Sequence, residues 1–150
     1  MSDVARTGEA VASAAGYAGD ITAEQAWQLL LDEPNAVLVD VRTSAEWQFV
    51  GVPDTDSLGR PTRFVEWVGF PSGAPNADFV GELRAHGIGG GPVIFLCRSG
   101  QRSIGAAVAA TAAGLGPAYN VLEGFEGGLN ANGHRGGAGW RAAGLPWRQS

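Results

Sequence analysis

The sequence predicts an α/β fold: a mostly parallel sheet with helices on both faces. Three observations carry this. Residues 36–41 and 93–96 are continuous apolar runs rather than alternating ones, the mark of strands buried on both faces. Stretches with apolar residues at helical spacing fall between the strand-like runs. Glycine and proline punctuate the joins, at Pro34, Gly87 and the run 114–117.

Taken in order, the folded part is expected to open at Ile21 as a very short strand, after a mobile Ala/Gly/Ser tail over residues 1–19. Thr22 with Gln25 forms a capping box, and Ala23, Trp27, Leu30 and Leu31 follow at helical spacing until Pro34. The run 36–41 is the second strand. Thr43 and Glu46 make another capping box for a short helix carrying Trp47, which Gly51 and Pro53 break. Residues 54–75 alternate Gly and Pro with Phe64, Trp67 and Phe70, and predict a short strand near Ser57, a helical turn at 64–67 and then a loop. Residues 76–86 predict a helix with Phe79, Val80 and Leu83 inward and Gly87 as its stop. Residues 93–96 are a strand, 104–113 a helix, and 118–122 a last short strand. Residues 123–139 read as a Gly/Asn-rich loop, closed by a helical turn at 139–143. With 150 residues the chain makes one domain, residues 20–150, with one core.

Composition excludes several function classes. The net charge of −5 argues against general binding to nucleic acid or to an anionic membrane surface. Every basic residue is arginine, which reads as a compositional bias of the source rather than a functional signal. One cysteine rules out an internal disulfide framework and a multi-cysteine metal site, and fits a reducing compartment. No run approaches membrane-span length, and residues 1–19 lack the basic start and apolar core of a secretory signal, so a cytoplasmic monomer is expected.

That cysteine, Cys97, is the most informative residue. It begins the run Cys97, Arg98, Ser99, Gly100, Gln101, Arg102, Ser103, between a strand and a helix. Open α/β sheets bind ligands at the carboxyl ends of their strands, and a helix N-terminus holds anions. A thiolate is an anion, so the same place is expected to favour it and make Cys97 a reachable nucleophile. The amides from Arg98 to Ser103 are expected to form a cradle, with Gly100 permitting the turn. Arg98 is expected to draw in an anionic donor, Arg102 to brace the loop or touch the oxyanion, and Ser103 to cap the helix or donate to the anion. Asp40 and Arg42, at the end of the second strand, are supporting residues, with Arg42 pairing a carboxylate and Asp40 bonding loop backbone. Glu46 reads as the cap alone, and His86 as the exposed end of a helix.

Three stretches in this order carry a family resemblance: Val39-Asp40-Val41-Arg42 with Glu46-Trp47; the Cys97 to Ser103 loop; and Leu122-Glu123-Gly124 followed by the run from Gly139 to Pro146. Over residues 20–147 the chain resembles a single-domain bacterial rhodanese. The resemblance implies a five-stranded parallel sheet flanked by helices and no cofactor or metal. It implies transfer of a sulfane sulfur, through a cysteine persulfide, from a donor such as thiosulfate to cyanide or a thiol, small or carried by an acceptor protein. A persulfide carrier without turnover uses the same cysteine and stays open as an alternative. Cysteine-dependent phosphatases and arsenate reductases are a more distant one, because phosphatases need a wider loop than the four residues between Cys97 and Arg102. The turn that family members carry as Gly-His-Ile-Pro-Gly-Ala is here Val50-Gly51-Val52-Pro53-Asp54-Thr55, without the histidine. The segment after Gly124 is longer than the resemblance implies by about ten residues and is expected to recognise the acceptor, while the aromatic region Phe64 to Phe70 is expected to build the opposite wall.

Overall fold

The computed structural model describes residues 16–69, 72–129 and 131–149. Five strands form a parallel sheet: β1 (Gly19–Ile21), β2 (Val37–Asp40), β4 (Arg63–Phe64), β5 (Val93–Leu96) and β6 (Ala118–Val121), in the order β1-β6-β5-β2-β4. Among the described residues the α-helices are α1 (Ala23–Asp32), α2 (Ser44–Phe49), α3 (Phe79–Ala85) and α4 (Arg102–Ala112). None of them is long and apolar enough to cross a membrane.

β5 lies in the middle of the sheet and is wholly buried, so its side chains feed two cores in alternation. Ile94 and Leu96 point to the α1 side with Leu29, Leu30, Leu38, Tyr119, Phe125 and Trp140. Val93 and Phe95 point to the other, with Phe79 and Leu83 of α3 and Ala106, Ala107 and Ala110 of α4. The small buried face of α4 lets its backbone approach the sheet, which fixes where its N-terminus ends up. Both expected capping boxes form: Thr22 with Gln25 starts α1, and Thr43 with Glu46 starts α2. At the other end of α1, Arg60 donates to the Leu30 carbonyl in the last turn and to the carbonyls of Glu33 and Ala36 in the segment that follows, which ties the helix end to the start of β2.

Four local expectations are corrected. The strand expected near Ser57 is a 3-10 turn, Asp56–Leu58, closed by Gly59 in the left-handed region; the strand is β4, displacing the helical turn expected from Phe64. Parallel pairing of Val39 with Arg63 and Asp40 with Phe64 extends the backbone there, a non-local cause invisible in the local pattern. α3 begins at Phe79 rather than near Asn76, because the Asn76 side chain is spent on the Asp78 N–H and the Glu66 carbonyl. A two-stranded antiparallel ribbon of β3 (Val52–Pro53) and β7 (Trp147–Arg148) was not legible, being too short to show a period. Finally, Tyr17 and Ala18, expected in the tail, are buried, and the Ala18 N–H bonds the Ala118 carbonyl. The remainder of the tail expected over residues 1–19, residues 1–15, lies outside the described residues.

Candidate active site

Cys97 follows directly on β5, and the four residues after it carry the chain into α4. The turn is held from both sides. Phe125 N–H bonds the Cys97 carbonyl at 2.8 Å, and the Glu126 and Gly127 N–H groups bond the Arg98 carbonyl at 2.9 and 3.2 Å. Gly100 adopts φ +92°, and a Cβ there would collide with the Leu122 carbonyl, so glycine is required twice over.

The sulfur sits beneath this loop. Two donors converge on Sγ: the Gly100 N–H at 3.1 Å and the Ser103 hydroxyl at 3.2 Å. Of the amides between Arg98 and Ser103, Gly100 supplies the backbone hydrogen bond to sulfur, which is narrower than the full cradle expected. Ser103 donates to sulfur rather than capping; the N-cap of α4 is Gln101, whose side chain makes no cap bond. The expectation of an open thiol is corrected: Cys97 is 1% exposed. The cause is the tight turn at Gly100, which folds the loop back over the side chain.

The charged residues divide. Arg98 is exposed, and among the described residues it has no ion-pair partner. Arg102 clasps Glu46 through two bonds of 2.8 Å, so it braces the loop. Glu46 is therefore more than a cap. Burial would push its carboxyl up, but the hydrogen bond from Arg102, the Thr43 N–H and the guanidinium charge prevail and hold it at about 2. Arg102 is held above its ordinary value by the hydrogen bond to Glu46, against desolvation. Ser99 is half-buried and Gln101 exposed.

Asp40 and Arg42 are both 0% exposed and pair at 2.7 Å. Asp40 also accepts from the Arg42 backbone N–H, and Arg42 donates to the Gly51 carbonyl and lies 4.3 Å from the centre of the Phe125 ring. They fasten β2 to the segment after α2 and to the base of the 124–139 loop. That loop does adjoin the site, since its first residues bond Cys97 and Arg98. Trp67 packs edge-on to Phe79 and against Gly105 of α4, flanking the helix that follows the cysteine loop.

The sequence reading missed Asn120. It is buried in β6, and its side chain contacts Ser103, Asp20 and the Gly100 carbonyl. The signal was present: a polar amide inside an apolar strand must find buried partners.

A family model described as the rhodanese-like domain matches residues 22–131. The chain belongs to the rhodanese-like domain family. An uncharacterized protein of Rickettsia conorii, RC0915, is 36% identical over 129 residues, covering 86% of this chain and 96% of the relative. A protein of Rickettsia montanensis, known as an uncharacterized protein in the dnaA 5' region, shows the same 36% identity and the same coverage. The crystal structure of Rv0390 from M. tuberculosis superposes with a TM-score of 0.83 at 63% identity, over 89% of this chain and 99% of that one. The polysulfide-sulfur transferase homodimer of Wolinella succinogenes shares the fold at a TM-score of 0.59 and 21% identity, over 97% of this chain and 89% of its own. The architecture expected from the resemblance, a five-stranded parallel sheet with flanking helices, is the one this rhodanese-like domain has.

Proposed function

We propose that this rhodanese-like domain transfers sulfane sulfur through a persulfide on Cys97. One observation carries the reading: a buried cysteine at the end of the central strand has two groups that can donate to an anion, the Gly100 N–H and the Ser103 hydroxyl, within hydrogen-bond distance of its sulfur. Cys97 packs within the apolar cluster on the α3 and α4 side of the sheet, and the polar donors at its sulfur are what set it apart from an inert core cysteine. The family and the sulfur-transferase neighbour support the same chemistry.

In the first half-reaction the Cys97 thiolate attacks the outer sulfur of an anionic donor such as thiosulfate. The donor's S–S bond breaks, its electron pair leaves with sulfite, and the persulfide keeps one negative charge. In the second, an acceptor thiolate or cyanide attacks the terminal sulfur, and the Cys97 thiolate returns as leaving group. Where Cys97 reacts as the thiolate no general base is required, and two half-reactions that alternate the enzyme between its thiolate and persulfide forms give ping-pong kinetics. The Gly100 N–H stabilises the departing thiolate in the second step, joined by the Ser103 hydroxyl to the extent that its proton turns to the sulfur. Arg98, the exposed cation beside the cysteine, draws the donor in. Such a free thiol suits a reducing, cytoplasmic compartment.

Burial of Cys97 favours a second reading as well. In a persulfide carrier, a partner protein would part the loop and load the sulfur, and free thiosulfate would turn over poorly. Phosphate chemistry has less support, because the loop is short and Arg102 is already engaged by Glu46. Steady-state turnover of thiosulfate with cyanide separates the first two. Parallel double-reciprocal plots support the enzyme. Absence of turnover, with sulfur still loaded by a sulfur-donating protein, supports the carrier. Release of phosphate from an aryl phosphate, lost in Cys97→Ser, would overturn both.

A further inference from the structure

The Ser103 hydroxyl has one proton and two acceptors. Its oxygen lies 3.2 Å from Cys97 Sγ and in short contact with Asn120 Oδ1. A hydroxyl donates a single hydrogen, so the two acceptors compete for it. The orientation of the Asn120 amide is fixed independently. Its Nδ2 faces the Asp20 carboxylate at 3.0 Å and the Gly100 carbonyl at 3.2 Å, both of them acceptors. Turning the amide over would set oxygen against oxygen on that side. Asp20 is itself held by the Tyr17 hydroxyl at 2.8 Å. The carbonyl end of Asn120 is therefore locked onto Ser103.

We propose that Asn120 is a positioning residue that draws the Ser103 proton away from the Cys97 sulfur, leaving the Gly100 N–H as the dominant donor to it. The inference rests on Cys97 being the sulfur-carrying nucleophile. Its consequence is chemical. A thiolate relieved of one hydrogen bond is more basic, and a more basic thiolate attacks sulfur faster. While the sulfur is protonated, its S–H turns to the Ser103 oxygen and the Ser103 proton rests on Asn120. Once it ionises, Ser103 must choose, and Asn120 holds part of that proton back. The Tyr17–Asp20 pair sets how firmly.

Cys97 is the only cysteine, so iodoacetamide alkylation reads it alone. The rate is measured against pH in the native chain, Asn120→Ala, Ser103→Ala and the double variant. Asn120→Ala is expected to lower the midpoint by about half a unit and to slow the high-pH plateau about 1.5- to 2-fold, from the modest dependence of thiolate reactivity on basicity. Ser103→Ala is expected to raise the midpoint, and in that background Asn120→Ala is expected to change nothing. An unchanged or raised midpoint in Asn120→Ala overturns the proposal, as does an equal shift in both backgrounds.

The surrounding charges stay in place in all four proteins: exposed Arg98, the Arg102–Glu46 and Asp40–Arg42 pairs, and Asp20 with Tyr17. Tyr17, pushed up to about 12 by burial and by Asp20, keeps its proton across the titration. A readout free of any substitution uses the native chain: the Asn120 side-chain carbonyl carbon is followed by NMR and is expected to shift at the alkylation midpoint. A resonance indifferent to that midpoint also overturns the proposal. Sulfur uptake from thiosulfate is measured separately, so failure of the proposed function is told apart from failure of the Asn120 role.

Discussion

At the scale of single residues, the site is built by what surrounds one sulfur atom. Gly100 holds a left-handed backbone and lets the Leu122 carbonyl approach, so Gly100→Ala meets both strain and collision. It is expected to destabilise the chain by about 2 kcal/mol or more in a denaturant titration, and to slow sulfur loading by withdrawing the N–H from Sγ. Arg98 is a different case, exposed and unpaired among the described residues. Arg98→Ala is expected to raise KM for thiosulfate about 3- to 10-fold with kcat nearly unchanged, an effect that shrinks as salt is added. Cys97, Gly100 and Ser103 were legible because nucleophile, turn and helix start follow one another along the chain. The inward turn of the sulfur was not, because it depends on how tightly the loop closes on the neighbouring strand end, where Leu122 lies.

At the scale of elements, α2 and α4 are clasped by Glu46 and Arg102, residues 56 positions apart. The Thr43–Glu46 spacing announced the cap; nothing in a sequence pattern announces the second partner of that carboxylate. Glu46→Gln keeps the cap and removes the charge, and is expected to cost about 1 kcal/mol near neutral pH, as partly exposed pairs do. Glu46 ionises in the folded chain at about 2 against an ordinary value of 4.5. A depressed carboxyl stabilises the fold fully above its ordinary value and loses that contribution as pH falls. The stability gap between the native chain and Glu46→Gln should therefore be full at neutral pH and above pH 4.5, and close toward pH 2. A gap that persists unchanged at pH 2 would show that Glu46 acts by packing rather than by charge.

For the whole molecule, the parallel sheet decides where chemistry happens. β2 and β5 run side by side in register, and both end at the same pole, with Asp40 opposite Leu96. Cys97 and the Asp40–Arg42 pair thus lie at one end of the sheet, but with different duties. The pair is wholly buried, and Asp40→Asn leaves the Arg42 cation without its counter-charge. A loss of about 3–5 kcal/mol is expected, seen as a lowered thermal midpoint. The long apolar strands and capped helices were readable because burial and spacing are local signals. The β3–β7 ribbon and the burial of Tyr17 depend on contacts between chain segments far apart, and leave no periodic trace. The central claim is that this pole carries sulfur covalently on one side chain. Intact mass before and after incubation with thiosulfate tests it most directly. The native chain is expected to gain the mass of one sulfur atom, lost again on adding cyanide, while Cys97→Ala gains nothing. No gain on the native chain from thiosulfate or from a sulfur-donating protein, or an equal gain on Cys97→Ala, would contradict the account.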